Sequence, residues 1–271
     1  MPDRHDIPEQ HEMPGQHETI RIAAAGDIHC DQLRRAQVEE AFAQIAEQAD
    51  LVLLAGDLTT QGELEQAEVL ARIVRDFALP VVCVLGNHDW HSDRADEIRE
   101  VLADAGATVL ERSSAILNVR GTTVGVAGVK GFVGGFRGSS WSNFGEPLFR
   151  QAYAETTADV DALDTALKSI AGCGIRVALL HYAPICETLV GEPEGLWLVL
   201  GAERLARPLL AHRPDLVLHG HAHNGTFQGS LDRIPVHNVA VHVMGRDFWI
   251  FELEARRHGA EVGVEEAGVS L

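Results

Sequence analysis

Basic residues, aromatic rings, cysteines and long apolar runs are all scarce in this chain of 271 residues. Only 22 Lys and Arg stand against 40 Asp and Glu, a formal net charge of −18, and no Lys/Arg run builds a basic patch. Phosphate polymers and anionic lipid surfaces are repelled by such a surface, so neither broad nucleic-acid binding nor membrane association is expected. No apolar stretch approaches the ~20 residues that span a bilayer. The first residues lack the basic-then-apolar pattern of a secretory signal, and the cytoplasm is the expected compartment. The cysteines, Cys30, Cys83, Cys173 and Cys186, are scattered without a Cys-x-x-Cys spacing, which favours buried thiols over disulfides. There is no Gly-x-Ser-x-Gly nucleophile motif. No coiled-coil repeat sets an oligomeric state.

What the chain does have is a set of metal-ligand side chains placed just after short apolar runs. Asp27 and His29 lie in Gly26-Asp27-Ile28-His29, Asp57 in Gly56-Asp57, and Asn87 in Gly86-Asn87-His88-Asp89. His181 follows Val177-Ala178-Leu179-Leu180, and His221 and His223 lie in Gly220-His221-Ala222-His223. The runs preceding them read as strands buried on both faces, so the ligands gather at strand C-terminal ends, where open α/β sheets place their sites. Two Asp, one Asn and four His supply the oxygen and imidazole mixture that two divalent cations want, with a carboxylate as bridge. Asp27 with His29, and His221 with His223, are two residues apart. On extended backbone each pair points to one side.

The order Asp-x-His, Gly-Asp, Gly-Asn-His-Asp, His, Gly-His-x-His resembles the signature of the calcineurin-like metallophosphoesterase superfamily, over roughly residues 20 to 253. The Gly-Asn-His-Asp and Gly-His-x-His forms look more like its branch of cyclic-nucleotide and glycerophosphodiester phosphodiesterases than its protein phosphatases. The resemblance implies one metal on Asp27, His29, Asp57 and His223, and a second on Asp57, Asn87, His181 and His221. It places His88 beside the scissile phosphate, where an imidazole suits charge stabilisation or proton delivery to the leaving oxygen. Asp89 would orient His88 or cap a turn. The implied cofactors are two divalent ions, Mn or Fe first, with Zn or Co also compatible with these donors. The implied reaction is hydrolysis of a small phosphodiester by in-line attack of a metal-bridging hydroxide. A phosphomonoesterase or nucleotide pyrophosphatase on the same site, or a non-catalytic metal-binding scaffold, are the alternatives.

Residues 1–18 repeat a His- and Pro-containing hexapeptide pattern around His5, His11 and His17, too polar to pack, and read as a solvated tail. From 19 to 271 a single domain is expected. Helical spacing covers Gln37 to Gln48, Glu63 to Phe77, Arg94 to Ala105 and Leu148 to Ile170, alternating with strands as an α/β fold requires. The resemblance makes this a four-layer α/β/β/α sandwich of two mixed sheets flanked by helices. Val236 to Val243 and Phe248 to Leu253 read as closing strands of the second sheet. The Gly- and aromatic-rich segment at about 130–147 reads as a lid-like insertion. Within it Arg137 is a candidate phosphate contact, and Trp141 stacks on a ligand or pins the loop. Ile185 to Leu200, with Glu192 and Glu194, is expected to rim the pocket opposite that loop. His212, His237, His242 and His258 lie outside the motif blocks, and His237 and His242 are read as structural.

Overall fold

The computed structural model describes residues 19–256. The tail 1–18 with its three histidines, and His258, therefore lie outside the described residues.

Thirteen strands and seven helices follow the expected alternation among the described residues. The first sheet contains β1 (Thr19–Ala25), β2 (Leu51–Ala55), β3 (Val81–Val84) and β4 (Thr108–Val109) in parallel, with β13 (Trp249–Glu254) antiparallel on the far side of β1. The second sheet has the order β11-β12-β10-β9-β6-β5. Its parallel centre is β6 (Thr122–Val129), β9 (Ile175–Leu180), β10 (Leu216–His219) and β12 (Ile234–Asn238). Its antiparallel edges are β5 (Ser113–Val119) and β11 (Gln228–Leu231). A small hairpin, β7 (Gly135–Phe136) and β8 (Ser139–Ser140), stands apart.

Side-chain alternation explains the layers. Along β1, Ile20, Ile22 and Ala24 point into the core between the sheets, where they meet Leu51 and Leu53 of β2 and Val177 and Leu179 of β9. Ala23 and Ala25 point the other way, toward α1 (Arg35–Ile45), α2 (Leu64–Arg75) and α3 (Ala95–Asp104). Val38, Ala41, Phe42 and Ile45 form the buried stripe of α1 at helical spacing. The outer face of the second sheet is covered by α4 (Pro147–Ser169) and α6 (Ala206–His212). Strands buried on both faces need apolar residues at every position, which is why these runs show no polar alternation. The expected four-layer sandwich is the observed one.

Two late elements differ from expectation. The strand expected through Val243 stops at Asn238, and Val241–Met244 forms a short helix, α7. The last strand, β13, pairs with β1 and so closes the first sheet instead of the second. Hydrophobicity alone marks such an edge strand without saying which sheet receives it. No helix among the described residues is long and apolar enough to cross a membrane. Cys30, Cys83 and Cys173 are buried free thiols and Cys186 is partly exposed.

Candidate metal centre

Five loops meet where the C-terminal ends of the parallel strands of both sheets come together. Asp27 and His29 follow β1, Asp57 follows β2, Asn87 and His88 follow β3, His181 follows β9, and His221 and His223 follow β10. Backbone bonds carry the β1 and β2 loops side by side, with Asp27 N donating to Gly56 O and His29 N to Asp57 O, both at 3.0 Å. Gly26 N donates to Val239 O at 2.7 Å and stitches the first sheet to the second directly under the site.

The extended-backbone expectation for the paired ligands is corrected by the structure. Asp27, His29, Asp57 and His221 have φ of 57°, 43°, 49° and 72°, the left-handed region, so each chain turns sharply at its ligand. Each such non-glycine residue costs about 1 kcal/mol or more, strain of the kind found where surrounding structure over-determines a site. The motif glycines have a separate cause. A Cβ on Gly86 would strike the Asp57 carboxylate and its backbone N, and one on Gly220 would strike the Asp27 carboxylate. Only a hydrogen fits in front of each acid.

The sequence-predicted residues come together in two groups that share Asp57. Ligand atoms of Asp27, His29, Asp57 and His223 lie within 4.8 Å of one another, as do those of Asp57, His181 and His221. Asn87 Oδ1 is 2.8 Å from His181 Nε2, which puts its amide beside the second group. His181 Nε2 is 3.3 Å from Asp57 Oδ1, and His29 Nε2 is 3.9 Å from Asp57 Oδ2.

Carbonyl oxygens, which can only accept, select the tautomers. His29 Nδ1–H donates to Thr59 O at 3.3 Å, so its Nε2 lone pair faces Asp57, and His181 Nδ1–H donates to Ala55 O at 2.8 Å, leaving Nε2, between Asn87 Oδ1 and Asp57, as the atom that would meet a cation. His221 Nε2–H donates to Val199 O at 3.2 Å and leaves Nδ1 free. A ring held this way by its second nitrogen is oriented for a metal on the first. Burial keeps His29 and His221 neutral, at pKa values of about 4 and about 3. Burial opposes ionisation of Asp27, but the His223 hydrogen bond and the nearby His181 ring draw its pKa down to about 2. Asp57 is pushed up, by burial first and also by the Asp27 carboxylate. Two buried carboxylates with four neutral-capable imidazoles and an amide form a donor set that fits divalent cations.

His88 stands at the mouth, its side chain 43% exposed, with Nδ1–H donating to Thr60 O at 2.7 Å and Nε2 3.9 Å from Asp57 Oδ2. Asp89 is fully buried and makes no hydrogen bond to the His88 ring. It accepts from Leu58 N, Thr59 N, Thr59 Oγ1 and Gly86 N at 2.6–3.1 Å, tying the Asn87 loop to the Asp57 loop. The turn-holding role is the observed one.

The sequence matches the model of the calcineurin-like phosphoesterase family over residues 20–225. The chain belongs to that family. It is thus a phosphoester hydrolase of a family that binds divalent metal ions. Solved structures share the fold of this calcineurin-like phosphoesterase. The phosphopantetheinyl hydrolase of Mycobacterium tuberculosis superposes with a TM-score of 0.60 at 18% identity, covering 81% of this chain and 88% of that one. A putative 5′-nucleotidase of Staphylococcus aureus gives 0.55 at 15% identity, covering 92% and 56%. The anchor in the inner membrane complex of Plasmodium gives 0.54 at 13% identity, covering 83% and 72%.

Several residues around the phosphoesterase site escaped the sequence reading. His242, read as structural on a strand, sits on α7 and stacks on His223 with ring centroids 4.3 Å apart. His219 is buried between Gly220 O and Thr188 Oγ1, both at 2.8 Å, and burial lowers it to about 4. The His before Gly220 was its only signal. Glu192, expected on an exposed acidic rim, is buried and accepts from Asn224 N at 2.7 Å, bracing the loop that carries His223. The 185–200 segment does not face the 130–147 segment from across the pocket. Gly135 N donates to Gly201 O at 2.8 Å and Phe136 packs on Trp197, so the two segments form one wall. Trp141 packs edge-on against Phe149 of α4, and Arg137 is exposed.

Proposed function

We propose that this phosphoesterase is a dinuclear metal-dependent phosphodiesterase acting on a small phosphate diester. The observation that carries the reading is the convergence of Asp27, His29, Asp57, Asn87, His181, His221 and His223 on one point, with Asp57 common to both groups. Asp27, His29, Asp57 and His223 would hold one ion, and Asp57, Asn87, His181 and His221 the other. Two divalent ions bound there supply positive charge for the phosphoryl oxygens and bring the ionisation of water toward neutral pH. Mn or Fe are the first choices, with Zn or Co also suited to these donors.

His88 is the proton donor in this reading. Thr60 O accepts its Nδ1–H in either protonation state, which fixes the ring and leaves Nε2 as the atom that gives a proton to the departing alkoxide. The side chain reaches solvent and can be reprotonated there. Preference for a diester is supported by the Gly86-Asn87-His88-Asp89 and Gly220-His221-Ala222-His223 forms, which resemble those of the phosphodiesterase branch.

The test is elemental analysis of purified protein alongside hydrolysis of bis(p-nitrophenyl) phosphate and p-nitrophenyl phosphate, with and without added Mn. Two ions per chain and faster diester cleavage are expected. Faster monoester cleavage would favour the phosphomonoesterase or pyrophosphatase alternative. A full metal complement without cleavage of either would favour a scaffold.

A further inference from the structure

A cleft opens beside the metal centre on the side of His223. It is an open depression of about 320 Å³ lined by Arg34, Gln37, His242, Arg246 and Asp247, within the size range of small-ligand sites. His242 is the wall shared with the centre, since its ring stacks on His223 at 4.3 Å and lies 6.3 Å from the His29 ring.

Two arginines without carboxylate partners among the described residues line this one cleft. In a chain of net charge −18, many arginines are neutralised by a carboxylate, as Arg21, Arg35, Arg94, Arg112 and Arg213 are. Arg34 and Arg246 have no carboxylate partner and no side-chain hydrogen bond among the described residues. Arg246 sits over the Trp249 ring at 4.6 Å, a contact that leaves its N–H groups available. The one acid of the lining, Asp247, already accepts from Gln37 Nε2 at 2.9 Å. Two guanidiniums against one engaged carboxylate leave the cleft positive, and guanidinium N–H forks match phosphate and carboxylate oxygens.

We propose that this cleft is a second anion subsite, in which Arg34 and Arg246 hold an anionic group of the substrate other than the one hydrolysed. The inference rests on the phosphodiesterase reading for its substrate class, a phosphate diester that carries a further phosphate or carboxylate. His242, stacked on His223, stands between the centre and the cleft.

Two substrates that release the same phenol read the subsite: thymidine 5′-(p-nitrophenyl phosphate) and its 3′-phosphorylated counterpart. Wild type is expected to show a KM roughly tenfold or more lower for the 3′-phosphorylated compound, the effect of a charge-assisted contact. In Arg34→Ala/Arg246→Ala that ratio should fall to within about twofold of unity, and Arg34→Lys/Arg246→Lys should restore part of it. Equal KM values in wild type, or a preference that survives the double Ala substitution, would overturn the subsite. If neither compound is hydrolysed the phosphodiesterase reading fails, and calorimetry on metal-loaded protein then decides the subsite. Tighter binding of thymidine 3′,5′-bisphosphate than of thymidine 5′-monophosphate, lost in the double Ala variant, supports it; equal binding overturns it.

Discussion

A buried carboxylate beside another buried carboxylate is stabilised by a proton or by a cation, and Asp57 beside Asp27 is in that position. The neighbouring imidazoles suit the cation, because carbonyl acceptors at Nδ1 of His29 and His181 leave Nε2 of each turned toward Asp57. His88 differs in facing solvent and carrying no predicted ligand role. His88→Asn is therefore expected to keep the metal content of wild type while kcat falls by roughly 10²–10⁴. Loss of an ion with the rate preserved would show that ligand and acid have been assigned the wrong way round. Protonation provides a second residue-level expectation, for metal-free protein. His29 and His221 are lowered from 6.5 to about 4 and about 3, so between those values and about 6.5 the unfolded chain binds protons that the folded one does not. Stability consequently falls as pH drops below about 6.5. His223, raised by its bond to Asp27, and Asp57, raised by burial, work in the opposite direction. Comparing the Tm–pH slope of His221→Asn with wild type isolates one residue: the variant should be flatter between pH 4 and 6.5, and parallel slopes would contradict a desolvated, neutral His221.

At the level of strands and loops, the apolar runs announced the parallel strands and the motif order announced the loops that meet at their ends. Hydrophobic pattern marks a strand but not its partner, which is why β13 was expected in the wrong sheet and why α7 was read as strand. The candidate ligand residues were legible because their chemistry is unusual at strand ends. Their left-handed backbone was not, since nothing in Asp27 or His221 as residue types demands a positive φ. Braces between loops were equally hidden, as Glu192 and His219 are tied to partners 32 and 31 residues away. Asp89 is the strongest brace, with four donors from two loops on one buried carboxylate. Asp89→Ala would strand those donors, so a loss of roughly 2–4 kcal/mol in denaturant unfolding is expected, together with weaker metal binding. Asp89→Asn should recover part of both. An unchanged unfolding midpoint for Asp89→Ala would mean that the two loops hold their places without it.

Across the whole molecule, four layers of apolar packing fix a site that is itself unfavourable for the empty protein. Strained ligand backbone and a raised Asp57 are carried by the core between the sheets, where Ile22, Leu53, Val177 and Leu218 are all fully buried. Bound cations would reverse the balance, because ligands that bind only the folded state raise its stability with concentration. Asp57→Asn separates the two effects. Asparagine keeps an oxygen for the His88 N–H, now 2.8 Å from Asp57 Oδ1, and removes the charge that burial and Asp27 disfavour. At neutral pH, above the ordinary carboxylate range, the metal-free variant should therefore melt higher than metal-free wild type. Added Mn should raise the Tm of wild type and leave that of the variant nearly unchanged, because the shared ligand is gone, and the order of the two proteins should invert as metal is titrated in. A variant that melts lower than wild type without metal would show that Asp57 is held by the fold for structural reasons. A variant that gains as much Tm from Mn as wild type would show that the two groups do not depend on a common carboxylate.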